Sequence, residues 1–177
     1  MPESKPRAQE KMPGPNAEEQ RYPIRIGRDG TWFHEGGPIR RMELVRLFAG
    51  VLSRDEAGGY WLATPYERGR IEVDDLPFVA VAVEFHNEDG HQALVFRTNL
   101  DQTVVAGPDH PLGVDQDPET GEPRPYIGIG RGLEARIARP VFYELVERGE
   151  RRQDGAGTEV GIWSRGTWFT LGRFTED

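Results

Sequence analysis

Leu, Ile, Val and Phe all fall between Ile24 and Phe174, and within that stretch the spacing of apolar positions changes repeatedly, each change predicting an element. Ile24–Gly27 and Thr31–Phe33 flank Arg28-Asp29-Gly30, the signature of an opening β-hairpin. Leu44, Val45, Leu47, Phe48, Val51 and Leu52 then recur at intervals of three and four, which predicts a helix of about three turns with one buried face, stopped by Gly58-Gly59. Tyr60–Thr64 and residues 70–73 read as strands. Phe78–Phe85 alternates Val79, Val81, Val83 and Phe85 on one face. It turns at Asn87–Gly90 and returns through Leu94, Val95 and Phe96, a second hairpin. Short strands are expected at Thr103–Ala106 and Tyr126–Ile129, with the proline-rich stretch 107–125 between them mostly loop. Pro140 opens a second helix that runs through Val141, Phe142, Leu145 and Val146 to Gly149. A polar loop over 151–157 and a terminal hairpin, Thr158–Ser164 with Thr167–Leu171, complete the chain.

Sliding the chain on itself by ninety-eight residues sets Ile39 on Ile137, Arg41 on Arg139, Leu44 on Phe142, Leu47 on Leu145 and Phe48 on Val146. Both apolar helical stripes superpose and strands follow each, so the pattern predicts an α+β fold built from a duplicated helix-plus-antiparallel-strands motif. The expected organisation is a disordered tail over 1–21, proline-rich and without apolar anchors, an N-terminal α+β repeat over 22–75 and a C-terminal α+β repeat over 76–177.

Composition narrows the chemistry. With 22 Lys and Arg against 30 Asp and Glu the net charge is −8, so the basic footprint of a nucleic-acid binder is missing. No apolar run is long enough for a membrane span or a signal peptide, and the expected location is cytoplasmic. Cysteine is absent, which removes disulfides, thiolate nucleophiles and Cys-ligated metals. Ser53 and Ser164 lack the surroundings of a catalytic nucleophile. His86 and His91 flank a hairpin turn beside Glu84, Glu88 and Asp89, the one place where a hydrolytic metal could be imagined; surface polarity at a loop tip is the simpler account. Residues 115–121 only loosely follow a calcium loop, and Gly128–Gly132 lacks the spacing of a dinucleotide-binding turn.

What remains is either a set of arginines on a solvated surface or a site for an anion. Arg131 and Arg136 lie next to glycines whose N–H groups are accessible, and Arg97 with Asn99 ends a strand with the groups that hold phosphates and read base edges. If Arg97 is partly buried it needs a carboxylate, Glu67 or Glu134, or an external anion. Trp61 and Tyr126 could offer a stacking face if they line a cleft between the repeats.

The ordered set Pro38-Ile39-Arg40-Arg41, Tyr60-Trp61-Leu62, Thr64-Pro65, Phe96-Arg97-Thr98-Asn99, Pro123-Arg124-Pro125-Tyr126, Gly132-Leu133-Glu134-Ala135-Arg136 and Gly161-Ile162-Trp163-Ser164 resembles an uncharacterised proteobacterial domain-of-unknown-function family, over about residues 22–172. The resemblance implies a duplicated α+β core, a C-terminal half like pleckstrin-homology folds, and a site between the halves for a nucleotide-based ligand in signal transduction or a stress response. Where that family places a lysine after its glutamate, this chain has Arg68 after Glu67. The leading expectation is thus a non-catalytic ligand-binding module that uses Arg97, Asn99, Arg131, Arg136, Tyr126, Trp61 and Glu67, with a signalling protein as a further partner. The alternatives are a protein-interaction adaptor without a small ligand, marked by an exposed apolar surface, and a metal-dependent hydrolase.

Overall fold

The computed structural model describes residues 20–174, and the tail expected over 1–21 falls almost wholly outside them. The described chain is mostly β, with two short helices. Its first half runs β1 (Arg21–Ile26), β2 (Trp32–His34), β3 (Gly37–Pro38), α1 (Met42–Gly50), β4 (Leu52–Arg54), β5 (Tyr60–Ala63) and β6 (Arg68–Val73). These strands form one sheet in the order β3-β2-β1-β6-β5-β4, two antiparallel meanders joined by the parallel pair β1–β6. Ile24 and Ile26 alternate inward along β1, while Thr31 N–H donates to Asp29 Oδ1 at 2.9 Å and closes the expected turn.

The helix α1 is shorter than the apolar period suggests. It ends at Gly50, and Leu52 instead starts β4, where it is buried opposite Leu62. A period of three or four cannot tell a helix that continues from one followed directly by a short strand. Strand β3 escaped the pattern as well, because two residues carry no alternation.

The second half begins with β7 (Phe78–Glu88), β8 (His91–Thr98) and β9 (Thr103–Val105), followed by β10 (Leu112–Gln116), β11 (Pro123–Gly130) and β12 (Leu133–Ile137). Their sheet has the order β10-β11-β12-β7-β8-β9, again with one parallel pair, β12–β7. Then come α2 (Arg139–Arg148) and a three-stranded meander of β13 (Glu150–Asp154), β14 (Gly157–Ser164) and β15 (Thr167–Phe174). Strands β10 and β13 stand where loop was expected, since prolines and charges on edge positions hide the alternation, and β12 lies where the sequence reading assigned no element.

The β7–β8 hairpin is where expected, but its inward face switches. Phe78 and Ala80 are buried and Val81 is exposed; past a bulge between Ala80 and Ala82, Val83 and Phe85 face the same side as the buried Phe96 and Leu94. One extra residue reverses which alternate side chains point inward, so Val79 and Val81 are not core residues.

The duplication is real and larger than a helix with a strand pair. β15 lies alongside β10, so β10-β11-β12-α2-β13-β14-β15 repeats the succession β1-β2-β3-α1-β4-β5-β6, with β7–β9 set between the copies. Two similar halves result, sharing one core that runs from Ile24 to Leu171. The helices differ in cover. On α2 the inward face is Val141, Phe142 and Leu145, and on α1 it is Val45 and Ala49, so the ninety-eight-residue offset does not superpose the buried faces: Leu44 and Leu47, which it sets against Phe142 and Leu145, are 38% and 66% exposed. Gly149 does end α2, though with extended φ of −67° and ψ of 158° rather than a left-handed cap. A Cβ there would sit 3.0 Å from the Gly161 carbonyl oxygen, and close approach of α2 to β14 is what the position requires.

Candidate functional site at the junction of the two halves

Side-chain contacts tie the halves together at several points, and Asn99, Arg131 and Arg136, singled out from the sequence, take part. Asp75, at the end of the first half, accepts from Arg136 Nε at 2.9 Å and Nη2 at 3.0 Å and from Arg124 Nη2 at 2.5 Å. Arg136 also donates to the carbonyls of Arg124 and Pro125, so four of the five N–H donors of its guanidinium are engaged. Burial pushes the Asp75 carboxyl up, but the hydrogen bonds and charge of Arg136, with the charges of Arg124 and Arg28, more than reverse this and hold it below the usual carboxylate range.

Arg131 sits in the β11–β12 turn at φ +56° and reaches across to α1, donating to the carbonyls of Ala49, Gly50 and, at 3.5 Å, Leu52. No basic residue lies in the last turn of α1 itself, so the second half supplies the cation that its carbonyl end lacks. Asn99 donates to the Gly30 carbonyl in the β1–β2 turn and accepts from the Val79 N–H. Arg46 of α1 crosses as well, donating to Leu100 O and Asp101.

The remaining sequence candidates are spread over the molecule. Arg97 is half-exposed and pairs with Asp101 at 3.2 Å, not with Glu67 or Glu134. Tyr126 is the cross-strand neighbour of Arg136, and burial raises its hydroxyl. Trp61 is buried, with its indole N–H donating to Asp55 at 2.7 Å and the guanidinium of Arg68 3.8 Å from its ring centre. Glu67 faces the Tyr22 hydroxyl, whose pKa is raised by burial and by that carboxylate. Of the catalytic alternatives, Ser164 is fully buried and bridges strands, donating to Ala106 O at 2.7 Å and accepting from Leu94 N–H at 2.9 Å. His86 contacts Glu84 at 2.8 Å on the surface. Among the described residues no three His, Asp or Glu side chains converge as metal ligands would.

A polar cleft of about 260 Å³ opens where the β4–β5 turn of the first half meets the β11–β12 turn of the second, lined by Arg54, Asp55, Glu56, Gly58 and Gly132. Arg54 stretches over the Tyr60 ring, 5.7 Å from its centre, and meets Glu134 at 3.4 Å. Asp55 is fixed by the Trp61 indole and the Gly59 N–H, which hold its carboxyl below the ordinary range. Arg54 was passed over in the sequence because the helix was expected to run past it to Gly58-Gly59, and Tyr60 because it read only as the first residue of a strand. A hairpin signal was present in Asp55–Gly59, but the apolar period masked it.

Two family models together cover residues 14–171. Residues 14–76 match the domain of unknown function DUF1285, N-terminal domain, and residues 77–171 match its C-terminal domain. The chain belongs to the DUF1285 family. A crystal structure of a DUF1285 family protein from Silicibacter pomeroyi DSS-3 is 45% identical, with a TM-score of 0.78 over 87% of this chain and 81% of that one. A second DUF1285 structure, from Shewanella baltica OS155, shares the fold at 23% identity and a TM-score of 0.55, over 71% of this chain and 91% of that one. Comparison with curated proteins finds no match. In this DUF1285 protein Asn99 and Arg136, both within the strings that resemble the family, help hold the two halves to each other.

Proposed function

We propose that the protein is a non-catalytic sensor that takes a small polar ligand, of the nucleotide class, into the cleft between its halves. The observation that carries this reading is that the cleft is built by both halves, so an occupant touches both turns at once and can report its presence by tightening or loosening their contact. Arg54 supplies the guanidinium for an anionic group. Its bond to Glu134 is long and partly exposed, and so exchangeable, whereas Arg136 and Arg131 are held by Asp75 and by α1. Tyr60 beneath Arg54 supplies the aromatic face. The volume suits one sugar–phosphate or base portion at a time, with the remainder of the ligand in solvent. The pleckstrin-homology-like character suggested for the second half would suit a module that passes such a signal to a protein partner.

Melting temperature against nucleotides, cyclic nucleotides and dinucleotides tests it. Saturation to a hundred times the dissociation constant adds ~2.7 kcal/mol, at roughly 2–4 °C per kcal/mol for a chain of this size. A shift with one class is expected, and Arg54→Ala should remove it while leaving the unliganded melting point within about 1 °C. No shift with any of these compounds would discard the ligand reading. A second reading, the protein-interaction adaptor, is favoured by the exposed apolar side chains of α1.

A further inference from the structure

We infer that α1 is the moving part of this protein, a helix that undocks from the first sheet while the rest stays folded, and that an occupant of the cleft holds it down through Arg131. The coupling rests on the ligand reading of the cleft; the mobility of α1 does not. Little keeps α1 in place. Nine residues are too few for the helix to persist by itself, since isolated helices below about 12 residues are marginal in water. Its N-cap, Arg41, makes no side-chain hydrogen bond, and its last turn carries no basic residue. Only Val45 and Ala49 are buried, where α2 buries Val141, Phe142 and Leu145. Against α1 the Trp32 indole is 2% exposed and stacks on Phe48, ring centres 6.3 Å apart, with its N–H buried and lacking a partner among the described residues. A buried orphan donor disfavours the state that buries it, so docking carries a cost that water removes when α1 lifts. Elements with this little apolar burial are the ones that open locally.

The side-chain hydrogen bonds that hold α1 from outside run to the second half. Arg131 donates to the carbonyls of Ala49, Gly50 and Leu52, and Arg46 reaches Leu100 O and Asp101. Arg131 stands between Gly130 and Gly132, and all three have left-handed backbone, with φ of +97°, +56° and +71° for residues 130, 131 and 132. Two glycines make this a turn that can change shape at small cost. Gly132 lines the cleft, one residue from the side chain that caps α1. The opposite wall starts at Arg54, four residues beyond Gly50, the last residue of α1. An occupant that touches both walls therefore fixes the turn that donates and the segment that accepts, and so clamps the Arg131 bridge from both ends. Binding then favours docked α1, and docked α1 favours binding by the same factor.

Hydrogen exchange of the full chain, read amide by amide, tests both parts. Without additives, α1 should exchange at least about a hundred-fold faster than α2, at a rate that low urea leaves unchanged, the mark of a local opening. Arg131→Ala should speed α1 about thirty-fold further while α2 keeps its rate. The nucleotides, cyclic nucleotides and dinucleotides of the melting experiment supply the second arm. One that raises the melting temperature should, at a hundred times its dissociation constant, slow α1 exchange by up to about a hundred-fold. In Arg131→Ala the same compound should still raise the melting temperature but leave α1 exchange as it was. Equal exchange in α1 and α2 would overturn the mobile helix. A compound that raises the melting temperature of the wild type yet leaves α1 at its free rate would overturn the coupling while the ligand reading stands. No shift with any compound would discard that reading and the coupling with it.

Discussion

At the scale of single residues, small groups decide the packing of the C-terminal meander. Ser164 is the clearest, since its hydroxyl joins the Leu94 N–H to the Ala106 carbonyl at a point with no access to water. Ser164→Ala leaves both backbone groups buried and unpaired, and unfolding in urea should show a loss of about 2 kcal/mol. Thr at the same place keeps the hydroxyl and should cost less. Gly161 is the other: its missing Cβ makes room for the Trp168 ring, whose indole N–H donates to the buried Glu159. The sequence shows Trp163-Ser164 as a plain strand end, and nothing in alternation reveals that a serine there replaces a backbone bond. Residue roles of this kind depend on what a distant segment brings opposite, and that information is not local.

Among elements, α1 depends on the other half of the molecule. Arg131 caps its carbonyl end from the β11–β12 turn while itself held at positive φ, a conformation that costs a residue with a Cβ roughly 1 kcal/mol. Arg131→Ala keeps that strain and loses the hydrogen bonds, so it should destabilise by about 2 kcal/mol; Arg131→Gly relieves the strain and should recover about half. Hydrogen exchange would place the loss in α1 rather than in the strands around position 131. How far elements can be read from the sequence follows from the same physics. The β1–β2, β7–β8 and β14–β15 hairpins announce themselves through turn residues and alternation, and Pro140 and Gly149 bracket α2. β4 was hidden behind a continuing apolar period, β10 and β13 behind prolines and charges, and the inward face of β7 behind a bulge. Of the site, the sequence drew attention to arginines near glycines. Which of them are already satisfied by Asp75 or by α1 is settled only by pairing across 61 and 81 residues.

For the molecule as a whole, the ion cluster of Asp75 with Arg124 and Arg136 makes two similar halves behave as one. Its pH signature follows from the direction of the shift. The Asp75 carboxyl is held below its usual value in the folded protein, so its contribution is fully present above the ordinary carboxylate range and is lost as pH falls through the lowered value. Asp75→Asn should cost roughly 3 kcal/mol at neutral pH by stranding two guanidinium groups, and should flatten the dependence of stability on pH in the acid range. Calorimetry of the wild type should give one transition, because the core is shared; in Asp75→Asn the peak should broaden as the halves uncouple.

The parallel pairs carry a further consequence, for how fast the chain reaches its fold. In each six-stranded sheet the strands that meet at the centre, β1 with β6 and β12 with β7, are the two ends of that sheet's own sequence. Neither pair can form from neighbours in the chain, and each must close a loop of dozens of residues before any central hydrogen bond offsets the lost chain entropy. On the ribosome the first sheet can close once β6 has emerged, but its helix then waits uncapped until the turn that carries Arg131 has been made. Hairpins that form within microseconds would thus stand ready for a slow central step, and refolding should proceed in milliseconds to seconds.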